Sequence, residues 1–291
     1  MTDHRKEPAI SQGKLSASIV LFRTPKETVK RIVECFLSSP LLEKLYIINN
    51  SPDTDYTWIR EEQRIHYLVP GTNKGYGSAH NLALREALKS SQYHVVSNPD
   101  IFFRRGTLER IYEYMEKNQR VGQLMPRIVS PLGEVQHLCK LLPSPSDLFI
   151  RRFIPLRKLR DALNAHYELH SFSYATPLKV PYLSGCFMWF RVSALGRVGL
   201  FDERFFMYPE DIDITRRMYR HECPLYVPTA TVVHDHGKES YKNIRMTVVH
   251  LRNMVKYFNK WGWFFDQERS RINKEVRNSI IALSHKGGRS R

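Results

Sequence analysis

A chain of 291 residues with 42% hydrophobic and 25% charged residues has the composition of a folded protein, not a disordered one, and the length for one large α/β domain with an appendage. Its net charge of +16 asks for an anionic partner: nucleic acid, an acidic membrane surface or phosphate-bearing substrates. Cys35, Cys139, Cys186 and Cys223 are widely spaced without a CxxC pair, which argues against a zinc site, and no apolar run of about 18 residues is present to span a bilayer.

Residues 1–14 are polar and read as a flexible start. MTDHRKEPAI lacks the apolar core of a signal peptide, so a cytoplasmic protein with reduced thiols is expected. SASIVLF (16–22) reads as a buried strand ended by Thr24-Pro25. Val29, Ile32, Val33, Phe36 and Leu37 recur at helical spacing. LEKLYIINN (42–50) and IHYLVP (65–70) are two further strands, and Gly75-Tyr76-Gly77 opens a helix through residue 90. YHVVSNPD (93–100) is a fourth strand. TLERIYEYMEKN (107–118) is a helix with Thr107 as its N-cap. Alternation of this kind predicts a mostly parallel sheet flanked by helices, with ligands beyond the carboxyl ends of the strands. Arg23-Thr24, Asn49-Asn50, Asn73 and Asn98-Pro99-Asp100 all follow strands and are expected to converge there.

Residues 143–180 change character, with Pro143, Pro145, Pro155 and Pro177 among basic and aromatic residues, and read as an inserted flap. VPYLSGCFMWFRV (180–192) returns to a buried strand. A loop from residue 201 then leads into a helix ending near residue 221, and PLYVPTATVVHDHG (224–237) is a strand ending in two histidines. The catalytic unit is thus expected over 15–240. Residues 241–291 form a basic helical extension, with twelve Lys/Arg from Lys242 onward against Asp266, Glu268 and Glu275.

Four constellations carry chemistry. Asp100, at the tip of a strand, can hold a hard cation such as Mg²⁺ or Mn²⁺, although Asn-Pro-Asp is also an ordinary turn. Glu210, Asp211 and Asp213 crowd three carboxylates into four residues beside FFMYP, and acids against aromatic surface have raised pKa values suited to a general base. The plain alternative is an acidic helix N-terminus. His234 ends a strand and can join a carboxylate on a metal, as can His236. Asn73-Lys74-Gly75-Tyr76-Gly77 precedes a helix and suits phosphate, or is a simple turn.

These segments occur in an order that resembles the family 2 glycosyltransferases of the GT-A fold, and within them the bacterial rhamnosyltransferase-type members that build O-antigen and related cell-surface polysaccharides. The matching stretches are SIVLF, LYIINNS, NKGYGSAHNLAL, VVSNPDI, LSGCFMWFRVSAL through GLFDERFFMYPEDIDITRRM, and VVHDHGKES, covering roughly residues 15–245. The resemblance implies Asp100 as the metal-binding carboxylate and His234 as its partner on the cation. It implies Asp211 as catalytic base, supported by Glu210 and Asp213. It also implies Asn73, Gly75 and Asn81 along the nucleotide. Asn49 stands where many relatives have an Asp that accepts from the pyrimidine base, and Asn98 stands at the first acidic position of the metal motif.

The implied reaction is an inverting transfer from a dTDP- or UDP-sugar, with dTDP-L-rhamnose preferred over UDP-hexose or UDP-N-acetylhexosamine, to a polyprenyl-diphosphate-linked acceptor. LFIRRFIPLRKLR (148–160) and the aromatic, basic tail suit an anionic membrane surface, which places the protein on the inner face of the plasma membrane. The competing classes are a nucleic-acid-binding protein and a glycan-binding protein without catalysis. Clustered acids in the crevice argue against the first, and the joint presence of Asp100, Asp211 and His234 against the second. Oligomeric state is not legible.

Overall fold

The structure is a computed structural model that describes residues 13–51, 53–147, 157–235 and 244–287. The polar start to residue 12, most of the segment 148–160 and His236 therefore lie outside the described residues.

The strands are β1 (Gly13–Leu21), β2 (Leu42–Asn49), β3 (Ile65–Leu68), β4 (Ser91–Ser97), β5 (Ile101–Phe102), β6 (Val121–Val129), β7 (Cys139–Lys140), β8 (Leu178–Lys179), β9 (Tyr182–Leu183), β10 (Phe187–Arg191) and β11 (Cys223–His234). The helices are α1 (Lys26–Leu37), α2 (Tyr76–Ser90), α3 (Thr107–Lys117), α4 (Arg157–Tyr167), α5 (Val192–Val198), α6 (Glu210–His221), α7 (Ile244–Trp261) and α8 (Gln267–Gly287). The main sheet runs in the order β3-β2-β1-β4-β10-β6-β11-β5, with β8 also on β11. Strands β1 to β4 are parallel to one another, as are β6 and β11.

β10 is antiparallel to both β4 and β6, which makes the sheet mixed. That reversal builds the site. Because Phe187 pairs with Ser97, the residues just before β10 lie beside the carboxyl end of β4. The apolar run 180–192, expected as one strand, is split into β9 and β10 at Ser184-Gly185-Cys186.

The helices form where apolar spacing dictates. Val29, Ile32, Val33 and Phe36 are the buried stripe of α1, at i, i+3, i+4 and i+7. α3 departs from expectation at its start. Gly106, with φ of 83°, precedes the helix and Thr107 is a buried first residue, so no side-chain cap forms. Within the proline-rich stretch, Tyr167, Leu169, Phe172, Tyr174, Leu178 and Val180 are buried in the main core, so 167–180 is packed where a flap was expected.

The basic extension is also packed. Met254, Tyr257, Phe258 and Ile272 share a core with Leu142, Phe205 and Ile212. Arg216 of α6, 1% exposed, donates to both carboxylate oxygens of Asp266 at 2.8 Å and to Glu268 at 2.7 Å, and lies 4.2 Å from the Trp261 ring. A buried bidentate pair of this kind ties α6 to the turn between α7 and α8. No helix among the described residues is long and apolar enough to cross a membrane.

Candidate active site

The site is organised around Gly185-Cys186, between β9 and β10. On one side the Cys186 carbonyl accepts from the Asn98 N–H at 2.9 Å, fixing the turn that carries Asp100. On the other the Gly185 N–H donates to Asp211 Oδ2 at 3.1 Å. A Cβ on Gly185 would stand 3.3 Å from the Asp211 Cβ, tighter than ordinary contact, so glycine permits this approach. Burial, and after it the charges of Asp100 and Asp211 among other influences, pushes the Cys186 thiol up to about 12, so it stays neutral.

Asp100 and His234 meet because β11 pairs antiparallel with β5, His234 opposite Ile101. Their nearest atoms, Asp100 Oδ1 and His234 Nε2, are 3.5 Å apart. Gln136 orients the imidazole. Its Nε2 donates to the His234 carbonyl at 3.0 Å, so its Oε1 faces His234 Nδ1, also at 3.0 Å. A carbonyl only accepts, so Nδ1 is the donor to Gln136 and Nε2 is the ring nitrogen turned toward Asp100. One carboxylate oxygen and one imidazole nitrogen converging on a point suit a divalent cation whose remaining positions are filled by phosphate and water oxygens. Among the described residues no third His, Cys, Asp or Glu completes a set of three. A cleft of about 200 Å³ opens beside Asp100, lined by Glu27, Thr28, Arg31, Phe102 and Asp235.

The three carboxylates at the head of α6 separate into different roles. Glu210 is buried; burial first, and then the neighbouring Asp211 charge, holds its carboxyl well above the usual range. Glu210 Oε2 has no hydrogen-bond partner among the described residues. Asp211 is partly exposed. Burial raises it too, while N–H groups of Gly185 and Ile212 oppose the rise by stabilising the anion. Of the two, Glu210 is therefore the one that favours its proton, and Asp211, with two N–H donors, the one that more readily becomes the carboxylate.

Asp213 is a correction to the expected trio. Two residues on from Asp211 it points about 200° around the helix. It is 0% exposed, accepting from Arg217 Nε at 2.9 Å and Trp261 Nε1 at 2.8 Å and pairing with Lys260 at 2.6 Å. It anchors α7 and does not face the site.

Tyr76, unassigned in the sequence, belongs to the site. Its phenol donates to the Gly185 carbonyl at 2.6 Å and its backbone N–H to Phe206 at 2.9 Å. Burial, with Cys186, Glu210, Asp211 and Asp100 around it, raises the phenol well above its ordinary value, so it remains a donor.

The expected nucleotide residues are engaged by the protein itself. Asn49 donates to Thr54 O at 2.8 Å and Tyr67 Oη at 2.9 Å and accepts from Ser51 N at 2.9 Å. Asn50 donates to Gly75 O at 2.8 Å and accepts from Lys74 N, while Asn73 accepts from Gly75 N. Gly75 has φ of 82°, and a Cβ there would lie 2.0 Å from the Phe206 carbonyl oxygen, so glycine is required for packing against the 201–209 loop. Asn81 is buried, 1% exposed. It clamps that loop through Phe201 N and O and donates to Glu203. Arg23, with φ of 50°, pairs with exposed Asp53 at 2.6 Å.

Comparison with known proteins agrees with this architecture. The model for glycosyl transferase family 2 matches residues 19–199. The chain is 28% identical over 251 residues to N-acetylglucosaminyl-diphospho-decaprenol L-rhamnosyltransferase of Mycobacterium tuberculosis, covering 81% of this chain and 80% of that protein. It is 24% identical over 212 residues to a low-salt glycan biosynthesis hexosyltransferase of Haloferax volcanii, covering 71% and 62%. Among solved structures it resembles GalNAc-T7 with UDP, GalNAc and Mn²⁺, at a TM-score of 0.65 and 15% identity over 86% of this chain but only 49% of that one. It also resembles the mannosyltransferase PcManGT from Pyrobaculum calidifontis in complex with GDP-Man and Mn²⁺, at 0.53 and 13%, covering 94% and 79%. The fold is α/β of the GT-A type with a helical C-terminal region.

Proposed function

The chain belongs to glycosyl transferase family 2 and is a glycosyltransferase, and on that premise we propose that it is an inverting, metal-dependent enzyme transferring L-rhamnose from dTDP-L-rhamnose to a polyprenyl-diphosphate-linked saccharide. Support for the chemistry comes above all from Asp211 and Asp100 lying on opposite sides of the same short segment, Gly185-Cys186. Support for the sugar and the acceptor comes from the mycobacterial relative, whose name specifies both.

Asp211 takes the proton from an acceptor hydroxyl as that oxygen attacks the anomeric carbon. The bond from that carbon to the diphosphate oxygen breaks, its electron pair leaving with the diphosphate, and the configuration inverts in a single displacement. Glu210, holding its own proton, keeps a second negative charge away from Asp211. Mg²⁺ or Mn²⁺ held by Asp100 and His234 would neutralise the leaving diphosphate.

The test is purified protein incubated with a panel of dTDP- and UDP-sugars, Mn²⁺ and a GlcNAc-diphosphate-lipid mimic, following nucleoside diphosphate release and product mass. Rhamnose transfer lost with EDTA and in Asp211→Asn is the expected result. Transfer from a UDP-sugar alone would overturn the donor assignment, and failure to bind any nucleotide-sugar would overturn the whole reading.

A further inference from the structure

Phe264 and Phe265 are 76% and 98% exposed at the turn between α7 and α8. Large adjacent apolar rings in water mark a surface that something else covers. The turn holds them there by construction. Gly262 has φ of 103°, which favours glycine, and Trp263 donates to Asn259 at 2.8 Å while its ring turns inward, 5.2 Å from Phe258. The buried Arg269 donates to the Trp263 carbonyl at 3.0 Å and the Phe264 carbonyl at 3.4 Å. The backbone is thereby pinned with the next two rings outward.

α7 continues this surface. Val248, Arg252, Val255 and Asn259 fall at i, i+4, i+7 and i+11 on its exposed side, with Lys256 beside them, while Asn253, Met254, Tyr257 and Phe258 face the core. The two valines are each 41% exposed. α7 contains no Asp or Glu. The same helix touches the loop leading into Asp211, for Asn253 donates to the Met207 carbonyl at 2.8 Å and His250 lies 5.3 Å from the Tyr208 ring.

We propose that the outer face of α7 and the Phe264-Phe265 turn dock on an anionic lipid bilayer, the two rings entering the headgroup–acyl boundary and Arg252 and Lys256 meeting lipid phosphates. Cationic and apolar residues together without acids are complementary to that surface. A second copy of this chain, itself at +16, is repelled by it. The contact with residues 207–208 sets the mouth of the site against the membrane. The use of that placement rests on the lipid-linked acceptor reading, but the docking itself does not.

The full chain is co-sedimented with phosphatidylglycerol-containing and phosphatidylcholine-only vesicles at low salt, alongside a Phe264→Ser/Phe265→Ser variant. Binding to the anionic vesicles that drops about tenfold or more in the variant, and also falls with salt, is expected. Transfer to a water-soluble GlcNAc-diphosphate acceptor is measured in parallel and stays at the wild-type rate in the variant. Its absence in both proteins would count against the reaction and leave the docking result standing. Equal sedimentation of the two proteins would overturn the proposal. So would absence of binding to anionic vesicles, or binding to duplex DNA, but not to vesicles, that is lost in the variant.

Discussion

The Gly185 N–H donates to Asp211 Oδ2 at 3.1 Å while the Gly185 carbonyl accepts from the Tyr76 phenol at 2.6 Å, so a residue at the head of α2 sets the carboxylate at the head of α6 through one glycine. Tyr76→Phe keeps the ring and removes that bond. A single net hydrogen bond is worth about 1 kcal/mol, so kcat should fall about fivefold to tenfold with the donor KM nearly unchanged. Steady-state kinetics on the folded variant check this, and a rise in donor KM at constant kcat would assign Tyr76 to nucleotide binding instead.

Glu210 and Asp211 are adjacent acids with different expected fates. Glu210 sits well above its ordinary value of 4.5, first through burial and then through Asp211. A carboxyl raised in the folded state binds its proton more tightly there. Its contribution to stability is therefore fully present below the ordinary value and is lost as pH rises through the folded one. Asp211, raised from 3.8 by burial, acts in the same sense. Glu210→Gln cannot ionise, so thermal melts between about pH 5 and about pH 9 should show a shallower loss of Tm than wild type. Transfer should persist, because the amide stands in for the protonated acid. Asp211→Asn should instead lower kcat by about 10²–10⁴ with nucleotide binding intact. An equal loss of activity in both variants would contradict this division.

The first half of the fold is legible because each strand is an apolar run and each helix repeats at helical spacing; the α1 stripe Val29, Ile32, Val33 and Phe36 is buried as its periodicity predicts. Strand direction is not legible. A run as uniformly apolar as 180–192 says nothing of its break at 184–186 or of the antiparallel course of β10. β6 escapes recognition because Gly122, Gln123 and Pro126 interrupt its apolar pattern. The structure accommodates Pro126 where pairing with β10 has ended and where the β11 register shifts opposite it. Gln136 and Tyr76 carry no motif. Their partners lie 98 and 109 residues away along the chain, beyond any local pattern. Asp213 was within reach, since helical geometry alone turns it away from Asp211.

Asp213 is accordingly expected to matter for stability and not for chemistry. Asp213→Asn leaves Arg217 and Lys260 without their buried counter-charge, although Lys260 keeps Asp202 at 2.8 Å. Breaking a buried pair from one side costs about 3 kcal/mol. Urea unfolding should show a loss of that order, while specific activity of the folded fraction stays near wild type. A folded variant with kcat as low as that of Asp211→Asn would return Asp213 to the catalytic group.

Gln136 offers a test of the metal assignment that replaces neither expected ligand. Its amide holds His234 through both Nδ1 and the main-chain carbonyl, fixing the ring that turns Nε2 to Asp100. Removing such an outer partner weakens metal affinity by about 10–100-fold without removing a ligand. Gln136→Ala should therefore need about 10–100-fold more Mn²⁺ for half-maximal transfer and recover most of the wild-type kcat when Mn²⁺ is saturating. His234→Ala should show the same shift or a larger one, and EDTA should silence all three proteins until Mn²⁺ is restored. A Gln136→Ala enzyme with an unaltered Mn²⁺ titration but a lowered kcat would mean that Gln136 holds His234 for some purpose other than a cation.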